Sequence, residues 1–315
     1  MPTLNLLDGK TVLVTGANGF IGTHLVRRLS QNPAIHLVLL TRKPLTQSQN
    51  GITSVAAALD QLTPETWQAA GINEINTVLH LGAFIPKSSD AINLVEPVYR
   101  DNLLGTRSLL ESFPTPPQQI VFASTIDVYA PLPNSVALSE SSPVEPSSLY
   151  GASKLFCEQL IRSYASQRDC SCAILRYGHI FGPGEGAYKK LIPQTIQRLL
   201  RDEAPILYGD GSAERDFLYV EDAVEATLRA ATSEIKELGP VNIVRGKSSS
   251  IRIITETLIQ LTGFSESIQY LADKPIGQSW RFNSIKMEEL LGKWKLISLE
   301  EGLKEEVNYF RSFNQ

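Results

Sequence analysis

The sequence predicts an α/β protein: a doubly wound parallel sheet of the Rossmann type with a smaller C-terminal α/β domain. Three observations predict it. Short apolar runs recur near residues 12, 36, 78 and 120, too short for helices and each followed by a helical stretch, which is how buried parallel strands read. The first of these runs, Val12–Leu13–Val14, passes directly into Thr15–Gly16–Ala17–Asn18–Gly19–Phe20–Ile21–Gly22, where glycine recurs every third residue. Beyond residue 175 the chain reads mainly as amphipathic helices with one short strand. The expected division is a dinucleotide-binding domain over 1–175 and a substrate domain over 176–315, partly interleaved with the first.

The first strand, the glycine loop and the helix over His24–Ser30 together read as a dinucleotide site. Gly16 permits a sharp exit from the strand, Gly19 removes a Cβ where a pyrophosphate approaches, and Gly22 allows close helix packing. Unpaired N–H groups at the helix start then offer partial positive charge to phosphates. Gly16, Asn18, Gly19, Phe20, Ile21 and Gly22 are the candidate cofactor contacts of this loop.

The second strand, Ile35–Leu40, ends in Thr41–Arg42–Lys43–Pro44, where a site selective for NAD usually carries an acid for the ribose hydroxyls. No acid stands there. Arg42 and Lys43 suit a 2′-phosphate, so NADP(H) is expected over NAD(H). A weaker third strand spans Ile52–Ala58; Asp60 after it accepts from an adenine amino group or caps the helix over Pro64–Ala70. The fourth strand, Thr77–Ala83, ends in Leu81, Gly82 and Ala83, small enough at its tip for a cofactor to lie against it. His80, inside this strand, reads as a satisfied core histidine. A helix is expected over Pro97–Glu111, with Asn102 either anchoring a neighbouring active-site strand or lying at the surface.

The fifth strand, Gln119–Ala123, ends in Ser124–Thr125, hydroxyls at the carboxyl end of a parallel strand where ligands of open α/β sheets bind. A Pro- and Ser-rich loop over 131–148 leads into Tyr150–Gly151–Ala152–Ser153–Lys154. Tyr150 and Lys154 share a helix face. A free phenol with a pKa near ~10 is a poor acid/base at neutral pH; an ammonium ~4–6 Å away lowers that value by about 1–3 units. Tyr150 is then the candidate general acid/base and Thr125 the candidate holder of the reacting oxygen.

Bulk properties narrow the partners. The 315 residues carry a formal charge of −4 and no Lys/Arg run, which argues against nucleic acid and anionic membranes. No apolar run approaches the ~18 residues of a membrane span, and no basic stretch with a cleavable apolar core opens the chain. Cys157, Cys170 and Cys172 form no Cys-x-x-Cys and have no nearby His at metal spacing, so they read as reduced packing residues of a cytoplasmic protein, with no metal expected.

Thr15–Gly22, Ser124–Thr125 and Tyr150–Lys154 resemble the extended branch of the short-chain dehydrogenase/reductase family, the nucleotide-sugar epimerase/dehydratase group. The resemblance continues through Leu175–Gly184 and Leu207–Asp222, the latter similar to the sugar-nucleotide signature of that family. It implies that Arg215 contacts the nucleotide or diphosphate, with Lys274 beside it; the competing role for Arg215 is an ion pair with Asp216 or Glu221. His179 stands where the family often has Asn at a substrate contact, and Lys274 where Arg is more frequent. Dehydratases of the family carry Thr–Asp–Glu after the fifth strand; here the run is Thr125–Ile126–Asp127, and Ile126 supplies neither acid nor base. Asp127 holds a place that serves as a second acid/base in some relatives. The resemblance also implies a homodimer through the helices beside the fifth strand.

The expectation is therefore an enzyme that uses NADPH to reduce a nucleotide-linked keto-sugar, plausibly an NDP-4-keto-6-deoxyhexose, with Tyr150 as general acid. The alternative is a UDP-sugar 4-epimerase with tightly bound NAD; a non-catalytic dinucleotide sensor is the rival from another class.

Overall fold

A computed structural model describes residues 2–43, 51–86, 92–133, 136–185, 190–271 and 276–313. Seven strands form one sheet: β1 (Thr11–Thr15), β2 (His36–Thr41), β3 (Ile52–Ala56), β4 (Thr77–His80), β5 (Gln119–Thr125), β6 (Ser171–Tyr177) and β7 (Glu237–Ile243), in the order β7-β6-β5-β4-β1-β2-β3. β1 pairs in parallel with both β2 and β4, and the parallel register continues from β4 through β5 to β6. The chain thus winds outward one way from β1 and then the other way from β4, so the topological switch point lies between these two strands. Its carboxyl edge is where a doubly wound sheet binds ligands.

The strands are covered on both faces, which is why they read as unbroken apolar runs. Leu13, Val38, Val78, Phe122 and Ile174, from five neighbouring strands, share one buried cluster with Trp67, Leu109 and Ile161 from the flanking helices. Those helices are α1 (Phe20–Leu29), α2 (Pro64–Ala69), α3 (Gly105–Ser112) and α4 (Leu149–Arg168). Trp67 is wholly buried, and its indole N–H donates to Ser112 Oγ at 3.0 Å, so the core keeps no orphan donor there.

Two expectations are corrected. The helix over Pro97–Glu111 is instead a short α-helix at Val95–Val98, a π-helical turn at Tyr99–Leu104, and then α3. Asn102 lies in the π turn, where the wider winding is coupled to side-chain bonds that lead out of the helix. The strand expected at Val241–Val244 begins earlier, at Glu237, and closes the main sheet as β7; Pro240 is tolerated because β7 is an edge.

The chain divides into two compact units, the first formed by residues 1–130, 143–177 and 224–241, the second by 131–142, 178–223 and 242–315. Within the second, short parallel pairs join Phe217–Tyr219 to His179–Phe181 and Gln269–Leu271 to Ile206–Tyr208. Its helices include α5 (Leu191–Leu199), α7 (Ile251–Thr262), α8 (Ile285–Leu291) and α9 (Leu299–Phe313), with α6 (Val220–Ala231) between α5 and α7 in sequence. The Asp222 carboxylate accepts from Trp294 Nε1 at 3.1 Å and Ile297 N at 3.0 Å, fastening the segment that leads into α9. Among the described residues no helix is long and apolar enough to cross a membrane.

Candidate active site

The glycine loop is shaped by close backbone approaches. Gly16 has φ +69°, and a Cβ there would fall 2.8 Å from Gly82 N, because the tip of β4 presses on the exit of β1. A Cβ on Gly22 would fall 2.1 Å from the Gly16 carbonyl oxygen, so what Gly22 clears is the loop itself. Gly19 is the residue before α1 and supplies no side-chain cap, so the helix start over Phe20, Ile21 and Gly22 turns the positive end of its dipole toward the loop. Asn18 belongs to the turn between β1 and α1 and is exposed.

Behind the loop runs a chain of hydrogen bonds that the sequence did not reveal. Gly82 N donates to Thr15 Oγ1 at 2.9 Å, and Thr15 Oγ1 lies 2.7 Å from His80 Nδ1, whose Nε2 lies 3.0 Å from Thr106 Oγ1. Each ring nitrogen of His80 thus bonds one threonine hydroxyl. Burial, and secondarily the Lys154 ammonium, push His80 down to about 3, so it stays neutral. His80 is thus a satisfied core residue, and its bonds tie the ends of β1 and β4 together beneath Leu81, Gly82 and Ala83.

Asp60 sits in a short turn at Leu59–Gln61 that packs on α3; α2 is capped by Thr63 and Thr66 instead, so the capping role is not the one Asp60 takes.

Thr125, Tyr150 and Lys154 all belong to the first unit. Ser148 caps α4 by accepting from Gly151 N at 3.0 Å, which sets Tyr150 in the first turn. A Cβ on Gly151 would lie 2.3 Å from the Asp127 carbonyl oxygen, so this first turn is seated directly on the Thr125–Asp127 turn. One turn on, Lys154 is 2 % exposed with Nζ 4.3 Å from the centre of the Phe122 ring on β5. Burial lowers its ammonium to about 8, with Cys157 and Glu158 opposing. The Thr125 hydroxyl accepts from Asp127 N at 3.2 Å, and the same turn bonds it to the Asp127 carboxylate. Asp127 faces solvent in part, yet crowding by its neighbours raises its carboxyl above the usual range.

Asn102 proves to be the anchor. Its Oδ1 accepts from Phe84 N at 2.7 Å and its Nδ2 donates to Phe84 O at 3.1 Å and to Ser153 Oγ at 2.9 Å, which links the segment after β4 to the residue beside Lys154. Glu158, buried on the same face as Tyr150 and Lys154, escaped the sequence reading although its spacing, four residues beyond Lys154, was the available signal.

In the second unit, Arg215 Nη1 donates to the Glu214 carbonyl at 2.8 Å and, more closely, to that of Gln278. Neither Asp216 nor Glu221 appears as its partner; Asp216 accepts instead from Arg245 N at 2.8 Å. Burial lowers the Arg215 guanidinium, and no carboxylate offsets it. His179 packs its ring at 5.6 Å from that of Phe217, and burial, then Arg215 and Lys190, push it down to about 3. Its Nδ1 is buried without a partner among the described residues. Lys274 lies outside the described residues.

The family model described as NAD dependent epimerase/dehydratase matches residues 12–243. A putative UDP-glucose 4-epimerase of Methanocaldococcus jannaschii is 32% identical over 315 residues, covering 96% of this chain and 99% of that protein. A dTDP-4-dehydro-6-deoxy-D-allose reductase of Streptomyces sp is 27% identical over 96% of this chain and 97% of its own. The UDP-glucuronic acid 4-epimerase of Bacillus cereus, solved with UDP-glucuronic acid and NAD, superposes with a TM-score of 0.82 at 26% identity, covering 96% of this chain and 99% of that one. MoeE5, solved with UDP-glucose and NAD, gives 0.81 at 29% identity over 97% and 100%.

These complexes overturn the expectation of NADP(H), since the solved relatives hold NAD. Arg42 and Lys43 are exposed, and the Thr41 hydroxyl donates to the Lys43 carbonyl at 2.6 Å, so the end of β2 is a solvent-facing turn. Two basic residues in such a turn are solvated cations, and their presence in the sequence does not amount to a phosphate cradle.

Proposed function

The chain belongs to the NAD dependent epimerase/dehydratase family, and on that premise we propose that it is a UDP-sugar 4-epimerase working with bound NAD. The observation that carries this reading is the seating of the first turn of α4 on the Thr125–Asp127 turn, with Lys154 buried one turn behind Tyr150. The 4-epimerases among its relatives favour epimerisation over the reduction expected from Arg42 and Lys43. Ile126 is 5 % exposed and apolar, which keeps a second acid/base away from the place where sugar dehydration needs one.

The dinucleotide would be held at the N-terminus of α1 and by Gly16, Asn18, Gly19, Phe20, Ile21, Gly22, Leu81, Gly82 and Ala83, with Asp60 at its adenine end. Bound NAD would supply hydride uptake and return, so no net reductant is consumed. Tyr150 takes the proton from the sugar 4-hydroxyl and returns it to that oxygen after the keto-sugar has turned its other face to the nicotinamide. The Lys154 ammonium favours the phenolate, and Thr125 holds the sugar oxygen, releasing Asp127 to do so. For the second unit, Arg215 is assigned to the diphosphate, with Lys274, and His179 to a sugar hydroxyl.

This reading also carries a cytoplasmic homodimer: Cys157, Cys170 and Cys172 are unpaired, and Phe156 on α4 is 55% exposed beside Leu160 and Tyr164. The deciding experiment incubates purified protein with UDP-glucose or UDP-glucuronic acid and no added cofactor. Interconversion with the C4 epimer is expected, and Tyr150→Phe should slow it by about 10²–10⁴-fold. Turnover only with stoichiometric loss of a reduced nicotinamide, or full turnover by Tyr150→Phe, would overturn the proposal.

A further inference from the structure

Four charged or polar side chains form a buried network behind the candidate acid/base. Glu158 on α4 and Arg176 on β6 are each 4 % exposed and pair through two bonds, Nε to Oε1 at 2.9 Å and Nη2 to Oε2 at 2.7 Å. Ser124, the neighbour of Thr125, donates its hydroxyl to the same carboxylate. The Arg176 guanidinium in turn lies 4.9 Å from the centre of the Tyr129 ring. Tyr150, Lys154 and Glu158 repeat at helical spacing, so the pinned carboxylate lies one turn behind the Lys154 ammonium on the same face. We propose that Glu158 is a positioning residue for the reaction: fixed by Arg176 and Ser124, it holds the charge of Lys154 behind Tyr150 and the end of β5 that carries Thr125. This rests on the assignment of Tyr150 and Lys154 above.

The alternative is a structural ion pair whose only work is to join α4 to β6. The surroundings of Lys154 distinguish the two. It is faced by neutral His80 from β4, by the Phe122 ring from β5, and by Cys157 and Glu158 from its own helix. Among the described residues Glu158 is the one carboxylate acting on it, while burial works against its charge. A buried ammonium with one carboxylate neighbour is sensitive to that neighbour in a way that a fold contact is not.

Glu158→Gln and Arg176→Gln break the same pair but leave opposite charges behind, so they separate the two roles. The measurement is the pH profile of kcat/KM for the wild type, both single variants and the double variant. Loss of the carboxylate lets Lys154 deprotonate earlier, so the alkaline limb of Glu158→Gln should move down by about one pH unit. Arg176→Gln frees the carboxylate from its cation, and its limb should move up. Both limbs moving the same way, or neither moving, would overturn the proposal, because that is what a structural pair gives. If neither single variant folds, the double variant decides: its limb should move down, since only Glu158 acts on Lys154 directly, and an unmoved limb sinks the idea. A Tyr150→Phe control keeps the premises apart. Its loss of turnover with unmoved limbs elsewhere removes only the role of Glu158; its full turnover removes the reading on which that role rests.

Discussion

His80 in the first unit and His179 in the second are both driven to about 3 by burial, yet they are partnered in opposite ways. His80 is bonded at both ring nitrogens to threonines, whereas His179 keeps Nδ1 without a partner among the described residues. The contrast extends beyond the histidines. The first unit matches Asn102 to Phe84 and Ser153, and Glu158 to Arg176 and Ser124. In the second, Glu185 and Glu306 share a hydrogen bond between two buried acids, and Asp216 keeps Oδ2 without a partner among the described residues. A buried acceptor without a donor costs about 1–3 kcal/mol. The first unit therefore uses polar groups to fix where its backbone lies, and the second keeps buried acids whose charge its fold opposes.

The largest expected effect comes from breaking the backbone contact that the first unit depends on. Gly151→Ala drives a Cβ to 2.3 Å from the Asp127 carbonyl oxygen, displacing the turn that carries Tyr150. Turnover should fall by at least about 100-fold, since a misplacement near 1 Å has that consequence. Gly277→Ala in the second unit is the counterpart: its Cβ would meet Arg215 Nη2 at 3.8 Å, an ordinary contact, and kcat should stay within about twofold. Equal losses in the two variants would erase the distinction.

The histidines sharpen it further. His80→Asn strands Thr15 and Thr106 and should lower stability by about 2–4 kcal/mol in denaturant melts; His179→Asn should cost less, about 1 kcal/mol, because only the bond with the Asp216 backbone and the contact with Phe217 are at stake. The pH dependence has a definite sign. The folded value of His80, about 3, lies below the ordinary imidazole value of 6.5, so its contribution is present above 6.5 and is lost as pH falls toward 3. The gap between wild type and His80→Asn should therefore narrow from pH 7 to pH 4; a constant gap would show that His80 is not held neutral.

The same division explains what was legible in the sequence. Strand periodicity gave the order of elements, and fixed spacings gave the glycine loop and the Tyr150–Lys154 pair, because both are local in the chain. Legibility failed where partners are distant. Thr15 meets His80 across 65 residues, and Asn102 meets Ser153 across 51. No window of sequence shows that Asn102 needs a π turn to reach both. Arg42 and Lys43 show the opposite failure: their chemistry was plain, but exposure, which only the fold supplies, decides whether two cations form a site.

The smallest effect concerns the buried carboxyls of the second unit. Glu306 on α9 is wholly buried, and its carboxyl is held well above the usual range, first by burial and then by the charge of Glu185, with Lys190 opposing. Lys190 Nζ lies 3.1 Å from Glu185 Oε2, so the cation is already engaged by the other acid. Glu306 thus enters the fold with its proton on. A raised folded value means that its stabilisation is complete below the unfolded value and drains away as pH climbs through neutrality into the alkaline range. Glu306→Gln keeps the shape and carries no proton to lose. The variant should melt within about 2 °C of the wild type near pH 5, and its advantage should widen steadily toward pH 9. Were the wild type to gain on the variant over that interval, Glu306 would be an ionised partner of Lys190, and burial would not be what governs its proton.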